Sequence, residues 1–173
     1  MVEDTLEVVI RAASPSDAEQ IARVHVDSWR EAYAGVIPAE YLDSIDVAAR
    51  ADMWRGRLRG EPRGLSIWVA QEGDEVLGFA CLGPSRDEDA DRSTLEIYSI
   101  YLEPSAWGRG VARELMRTVL ATVPAGGVVT LWVLDANERA RHFYRRNGFQ
   151  PDGVERLDEI GGQHYKEIRY RRG

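Results

Sequence analysis

The chain has 173 residues, with 22 Lys and Arg against 29 Asp and Glu, a formal net charge of −7, and 44% hydrophobic and 29% charged residues, which suits one water-exposed globular domain spanning 1–173. An acidic balance argues against general nucleic-acid binding, since a basic surface supplies most of that affinity. No apolar run approaches the roughly 18 residues of a membrane span, and Glu3, Asp4 and Glu7 stand where a signal peptide would be basic, so a cytoplasmic protein without membrane partners is expected.

Leu6 to Arg11 reads as a first strand, and Ser14, Pro15 and Ser16 as a turn that starts a helix. Ala18, Ile21, Ala22, His25, Trp29 and Ala32 then share one helical face, so the helix runs to about Tyr33. His25, Trp29 and Tyr33 each read either as core residues or as walls of a substrate pocket. Ala34 to Ser44 is a loop with a short helical turn after Pro38, and Val47 to Arg59 is a second helix. Leu65 to Gln71 and Val76 to Leu82 are strands joined at Gly73 and Asp74, a good hairpin signal. The single cysteine, Cys81, lies between Ala80 and Leu82 in a strand and reads as a buried, inert thiol. Pro84 to Ser93 is an acidic loop, expected to be a mobile surface connection. His25, His142 and His164 are scattered without zinc spacing, so no metal site is expected.

From Thr94 to Thr122 the chain reads strand, sharp turn, helix. Leu95, Ile97, Ser99 and Tyr101 alternate with Glu96, Tyr98, Ile100 and Leu102, and Pro104 stops the strand. Trp107, Gly108, Arg109, Gly110 and Val111 make a glycine-paired turn. Val111, Ala112, Leu115, Met116 and Val119 follow at helical spacing. A helix N-terminus offers unpaired N–H groups and a partial positive charge, and the two glycines let an anion approach the backbone. Read alone, this turn is equally a tight strand-to-helix connection. A Walker loop would need Lys then Ser or Thr where Val111 and Ala112 stand, and a dinucleotide fingerprint a small residue where Arg113 stands.

Val128 to Leu134 is an apolar run that suits an interior strand buried on both faces. Asp135 and Glu138 then have capping-box spacing, Ala136, Ala140, Phe143 and Tyr144 share a helical face, and Gly148 is a C-terminal stop. Phe149 to Arg156 and His164 to Arg171 read as the last strands, with Gly161 and Gly162 between them. Arg169, Arg171 and Arg172 read as a solvated basic end.

Together, the stretch from Glu96 to Ala112 and the one from Asn137 to Phe149 resemble the GNAT superfamily of N-acetyltransferases. Trp29, Tyr33, Gly35, Pro38, Tyr41, Leu42 and the Gly161–Gly162 hairpin extend the likeness over nearly the whole chain. One departure stands out: the family's pyrophosphate turn often opens with Gln or Arg, and here that position is Trp107. A strand–helix–strand unit from Leu95 to Leu134 requires a parallel pair inside a hairpin-rich sheet. The expected fold is therefore mixed α/β, with a mostly antiparallel sheet, one parallel pair and helices on both faces; the resemblance implies that it is the acyl-CoA N-acyltransferase fold, in which that pair is splayed.

The resemblance implies acetyl-coenzyme A as cofactor, its pantetheine arm along Ile100, Tyr101 and Leu102 and its pyrophosphate on Trp107, Gly108, Arg109, Gly110, Val111 and Ala112. Asn137 and Phe143 complete that set. It also implies a primary amine of a small molecule or peptide as acceptor, and it is compatible with a homodimer. Strict alternation turns Tyr101 to the side of its strand opposite Glu96, into the core. An alkyl amine has a pKa near 10.4, so presenting it neutral at pH 7 costs about 4.6 kcal/mol, which a base can offset. Glu96 is the candidate base, with a solvent-facing or ion-paired glutamate as the alternative. Tyr144 is the candidate acid toward the leaving thiolate, with a packed tyrosine as the alternative. Two other functions stay open: a module that senses acyl-coenzyme A without turnover, and a dinucleotide-binding reductase.

Overall fold

The computed structural model describes residues 6–173; Glu3 and Asp4 lie outside the described residues. Seven strands form one sheet in the order β1-β2-β3-β4-β5-β7-β6. These are β1 (Val8–Ala12), β2 (Ser66–Glu72), β3 (Glu75–Pro84), β4 (Leu95–Leu102), β5 (Val129–Leu134), β6 (Gln150–Ile160) and β7 (Gln163–Arg172). All neighbours are antiparallel except β4 and β5, the pair that the strand–helix–strand unit demands.

The helices are α1 (Ala18–Ala32), α2 (Ala39–Ser44), α3 (Val47–Leu58), α4 (Val111–Ala121) and α5 (Glu138–Arg146). On one face Ile21, Val24 and Trp54 of α1 and α3 pack with Val69 and Phe79 of the sheet. On the other, Leu115, Met116 and Val119 of α4 and Tyr144 of α5 pack with Ile97, Ile100, Leu131 and Tyr170. Each fully buried Leu or Met here is worth about 1.5–3 kcal/mol relative to exposure. Cys81 lies in the α1–α3 core, where burial pushes its thiol up to about 11.

Strand β4 departs from simple alternation. Cys81 pairs with Ser99 but the next residue, Leu82, pairs with Ile97, so β4 carries one extra residue, a β-bulge. The parity of the strand flips there: Ile97, Ile100 and Leu102 face α4, whereas Tyr98 and Tyr101 face α1 and α3. Tyr101 therefore shares the face of Tyr98 and not the one that alternation assigns.

The acidic loop is tied down. Arg169 of β7, whose side chain is only 8% exposed, pairs with Asp87 at 3.3 Å, Asp89 at 2.6 Å and Asp152 at 2.6 Å. Asp87 also accepts the Trp132 indole N–H at 2.9 Å. A fork with five donors reaches three carboxylates at once, which anchors the connection expected to be mobile and buries the arginine expected to be solvated.

Candidate functional site

Strands β4 and β5 pair only at Leu95–Val129 and Glu96–Thr130. From the bulge onward β4 stays with β3 as far as Leu102, and β5 stays with β7 as far as Leu134. A cleft of about 720 Å³ opens along this end of β4, reaching from Ile100, Tyr101 and Leu102 to the α4 turn and to Phe143 and Tyr144 of α5.

The β4 amides facing this gap follow from the hydrogen-bond phase. Glu103 N–H donates to Leu77 C=O across β3 at 2.7 Å, so the residue before it points the other way. Leu102 C=O accordingly accepts the Trp107 indole N–H at 3.2 Å on the gap side. Two residues back, Ile100 has the same phase. The N–H groups of Ile100 and Leu102 thus face the space that β5 has left.

The glycine turn sits at one end of the cleft. Gly108 and Gly110 have φ of +79° and +81°, and a Cβ on either would meet nothing within 4 Å, so the backbone there borders open space. The first internal bond of α4 runs from Glu114 N–H to Gly110 C=O at 3.2 Å, which leaves the amides of Val111, Ala112 and Arg113 ahead of it without helical partners. Three arginines line the cleft: Arg113 of α4, and Arg139 and Arg146 of α5. Arg139 lies over the Trp107 ring at 3.6 Å, and burial lowers its pKa from the ordinary arginine value. A cation thus stands at the turn position where the sequence departs from the family pattern. Sequence reasoning missed these arginines, although Arg139, Phe143 and Arg146 fall at i, i+4 and i+7 of one helical face.

Arg109 is not among them. Its guanidinium pairs with Glu72 of β2, and its side chain leaves the cleft toward Val8 and Ile10. Asn137 does not line the cleft either. It is the N-cap of α5, accepting Ala140 N–H at 3.1 Å, and its amide donates to the Tyr33 hydroxyl at 3.3 Å. Asp135, read from sequence as the capping residue, instead pairs with Arg141 at 3.1 Å.

Glu96 lies at the root of the splay, where β4 and β5 still pair, and is 2% exposed. Arg86 N–H donates to one carboxylate oxygen at 3.0 Å and Arg86 Nη2 to the other at 2.5 Å. Both oxygens are occupied, and the carboxylate borders no part of the cleft. The ion-paired alternative describes it, and the structure does not bring it to where a base would act.

Tyr144 does border the cleft, and burial raises its phenol well above the ordinary pKa of 10, so it stays protonated. Trp29 and Tyr33 pack edge to face at 5.0 Å beside Leu134, the end of β5. His25 sits behind Tyr101, stacked at 5.3 Å, with Nδ1 accepting the Trp54 indole N–H at 3.3 Å. Burial, with Arg50 and Arg57 nearby, pushes it down to about 3, so the imidazole is neutral and serves as a packed ring. It does not line the cleft.

The sequence model of the Acetyltransferase (GNAT) family matches residues 22–149. The uncharacterized N-acetyltransferase YuaI of Bacillus subtilis (strain 168) is 35% identical over 166 residues, covering 93% of this chain and 90% of that protein. The peptidyl-lysine N-acetyltransferase YjaB of Escherichia coli (strain K12) is 26% identical over 155 residues, covering 89% and 90%. Among solved structures, the PaiA N-acetyltransferase of Thermoplasma acidophilum, in complex with coenzyme A, superposes with a TM-score of 0.74 over 96% of this chain and 99% of that one, at 20% identity.

Proposed function

Because this chain belongs to the acetyltransferase (GNAT) family, we propose that it transfers the acetyl group of acetyl-coenzyme A to a primary amine of a small molecule or peptide. The amine attacks directly, with both substrates bound to the protein at once. The observation that carries this reading is a single continuous path: gap-facing amides of Ile100 and Leu102 lead to an open glycine turn with unspent N–H groups and three arginines. The residues fit a phosphorylated, extended thioester. Amides of Val111 to Arg113, with Arg113, Arg139 and Arg146, would hold the phosphates, and the strand amides would hold the pantetheine arm.

When bound, acetyl-coenzyme A supplies an activated acetyl thioester. The Ile100 or Leu102 N–H stabilises negative charge developing on the carbonyl oxygen, since a preorganised donor in a cleft costs no reorganisation. Tyr144, kept neutral by burial, gives its proton to the departing sulfur. Cys81 lies on the helix-covered side of β3 with its thiol pushed up to about 11, which argues against an acyl-enzyme route.

The test is free-thiol release from acetyl-coenzyme A against a panel of amines. The relative named as a peptidyl-lysine N-acetyltransferase supports including lysine peptides beside small amines. Release that requires amine supports the transferase. Tight coenzyme A binding with no release for any amine favours the sensor, and no binding at all removes both.

A further inference from the structure

Resting on the acetyl-transfer reading, we propose that Glu167 receives the acceptor's ammonium group and takes its proton, which makes the acceptor a cationic primary alkylamine. Glu167 lies on β7 opposite Leu134, the last residue of β5, and so at the far end of the splay from Glu96; neither it nor Trp29 nor Tyr33 lines the 720 Å³ cleft, which Tyr101 borders. Its neighbours Ile168 and Tyr170 pack in the core under α4 and α5. Alternation therefore turns Glu167 to the opposite face of the sheet, the face that Tyr101 shares after the bulge. There Trp29 and Tyr33 close around Leu134.

The side chain is 7% exposed and its hydrogen bonding is incomplete. Oε1 is buried without a partner. Oε2 accepts only Arg156 Nη2, at a long 3.4 Å, and that guanidinium is itself spread over the Trp132 ring at 4.1 Å. A buried carboxylate oxygen without a donor is costly, and an alkylammonium is the donor that would relieve it. The indole Nε1 of Trp29 is likewise buried and unpartnered. Burial first, and the Glu167 charge to a smaller extent, raise the phenols of both Tyr33 and Tyr101. Aromatic walls next to an unsatisfied carboxylate suit an alkyl chain ending in a cation.

The titratable and charged groups that act on Glu167 are Arg156 and Asp158 from β6, and its charge is felt more weakly by Tyr33, the C-cap of α1, and Tyr101 of β4. Burial and the neighbouring Asp158 carboxyl push the Glu167 carboxyl up to about 7 against the pull of Arg156. A base balanced near neutrality accepts a proton far better than one of ordinary carboxylate strength. In the step, the ammonium passes one proton to Glu167, and the freed lone pair forms the nitrogen–carbon bond as the carbon–sulfur bond breaks. Sulfur takes the Tyr144 proton, the nitrogen's next proton restores Tyr144, and Glu167 releases its own to solvent. One ammonium and one thioester thus become one amide, one thiol and one proton.

Wild type, Glu167→Gln and Glu167→Asp are compared in coenzyme A calorimetry, in thiol release with n-butylamine across pH, and by carboxyl-carbon NMR. Coenzyme A affinity should be unchanged in both variants. Glu167→Gln should lose about 100-fold or more in kcat/KM together with the limb near pH 7, while Glu167→Asp keeps part of both. A glutamine variant within about threefold of wild type at every pH overturns the proposal. The resonance missing from Glu167→Gln should titrate near neutrality in the free protein and shift to lower pH with n-butylamine but not with n-butanol. A carboxyl indifferent to butylammonium overturns the proposal even if the wild type is inactive. An amine-sensitive carboxyl in a protein that releases no thiol with any amine supports the amine site and removes the acetyl-transfer reading instead.

Discussion

Replacing Tyr144 by Phe tests the acid role with little structural interference. Among the described residues no protein group hydrogen-bonds the Tyr144 hydroxyl, and the ring packs with Phe143, Phe149 and Tyr170 at 5.6, 6.2 and 6.3 Å. Phenylalanine keeps those contacts and leaves no partner unsatisfied, so stability should change by no more than about 0.5 kcal/mol. Loss of a positioned acid removes about 10²–10⁴-fold in rate, or about 2.7–5.5 kcal/mol of barrier lowering. Thermal melts, coenzyme A calorimetry and turnover by thiol release on one preparation separate the two effects. The expected pattern is unchanged melting and affinity with turnover down at least about 100-fold. Because burial raises the phenol above its ordinary range, the wild type should show no alkaline loss of activity from this group below about pH 10. Turnover within about threefold of wild type would remove the hydroxyl from the reaction.

Gly110→Ala forces a side chain into the left-handed region at φ +81° with no steric neighbour, so it should cost about 1–2 kcal/mol in chemical denaturation and weaken coenzyme A binding in calorimetry. Arg139→Ala removes the guanidinium over Trp107 and should weaken coenzyme A about 3- to 5-fold, with a shallower salt dependence and unchanged turnover at saturation. Arg169→Leu leaves the largely buried Asp87 and Asp152 without their cation and should destabilise the protein by about 3–5 kcal/mol in denaturant melts. Asp89 is 60% exposed at its side chain, so Asp89→Asn should change stability by no more than about 1 kcal/mol.

What was legible in the sequence follows from how local its cause is. The strand–turn–helix around Gly108 and Gly110 depends on backbone freedom and spacing within a few residues, and it is found where it was read. The parallel pair followed from connectivity, because a crossover of that length cannot close a hairpin. Arg169 read as a solvated strand end because its partners Asp87 and Asp89 are 82 and 80 residues away in the chain. Glu96 read as a base because it stands in a strand of the splayed pair, but Arg86, ten residues away across a loop, claims both of its oxygens. Glu167 offered no pattern of its own, since alternating charges near a chain end resemble a solvated strand.

The bulge in β4 links these errors to the function. One extra residue near Tyr98 coincides with the point where β4 stops pairing with β5, and a bulge both bends its strand and increases its twist. The same residue flips the parity, so Tyr101 turns from the α4 side toward His25 and Phe79 on the α1 side. A single insertion in the ladder therefore frees the Ile100 and Leu102 amides and also supplies an aromatic wall on the opposite face. Side-chain alternation cannot register such an insertion, because the apolar pattern of β4 is nearly continuous and either parity buries it. The ladder partners that define it come from β3, some twenty residues earlier, and only in the assembled sheet does the extra residue have something to be extra to.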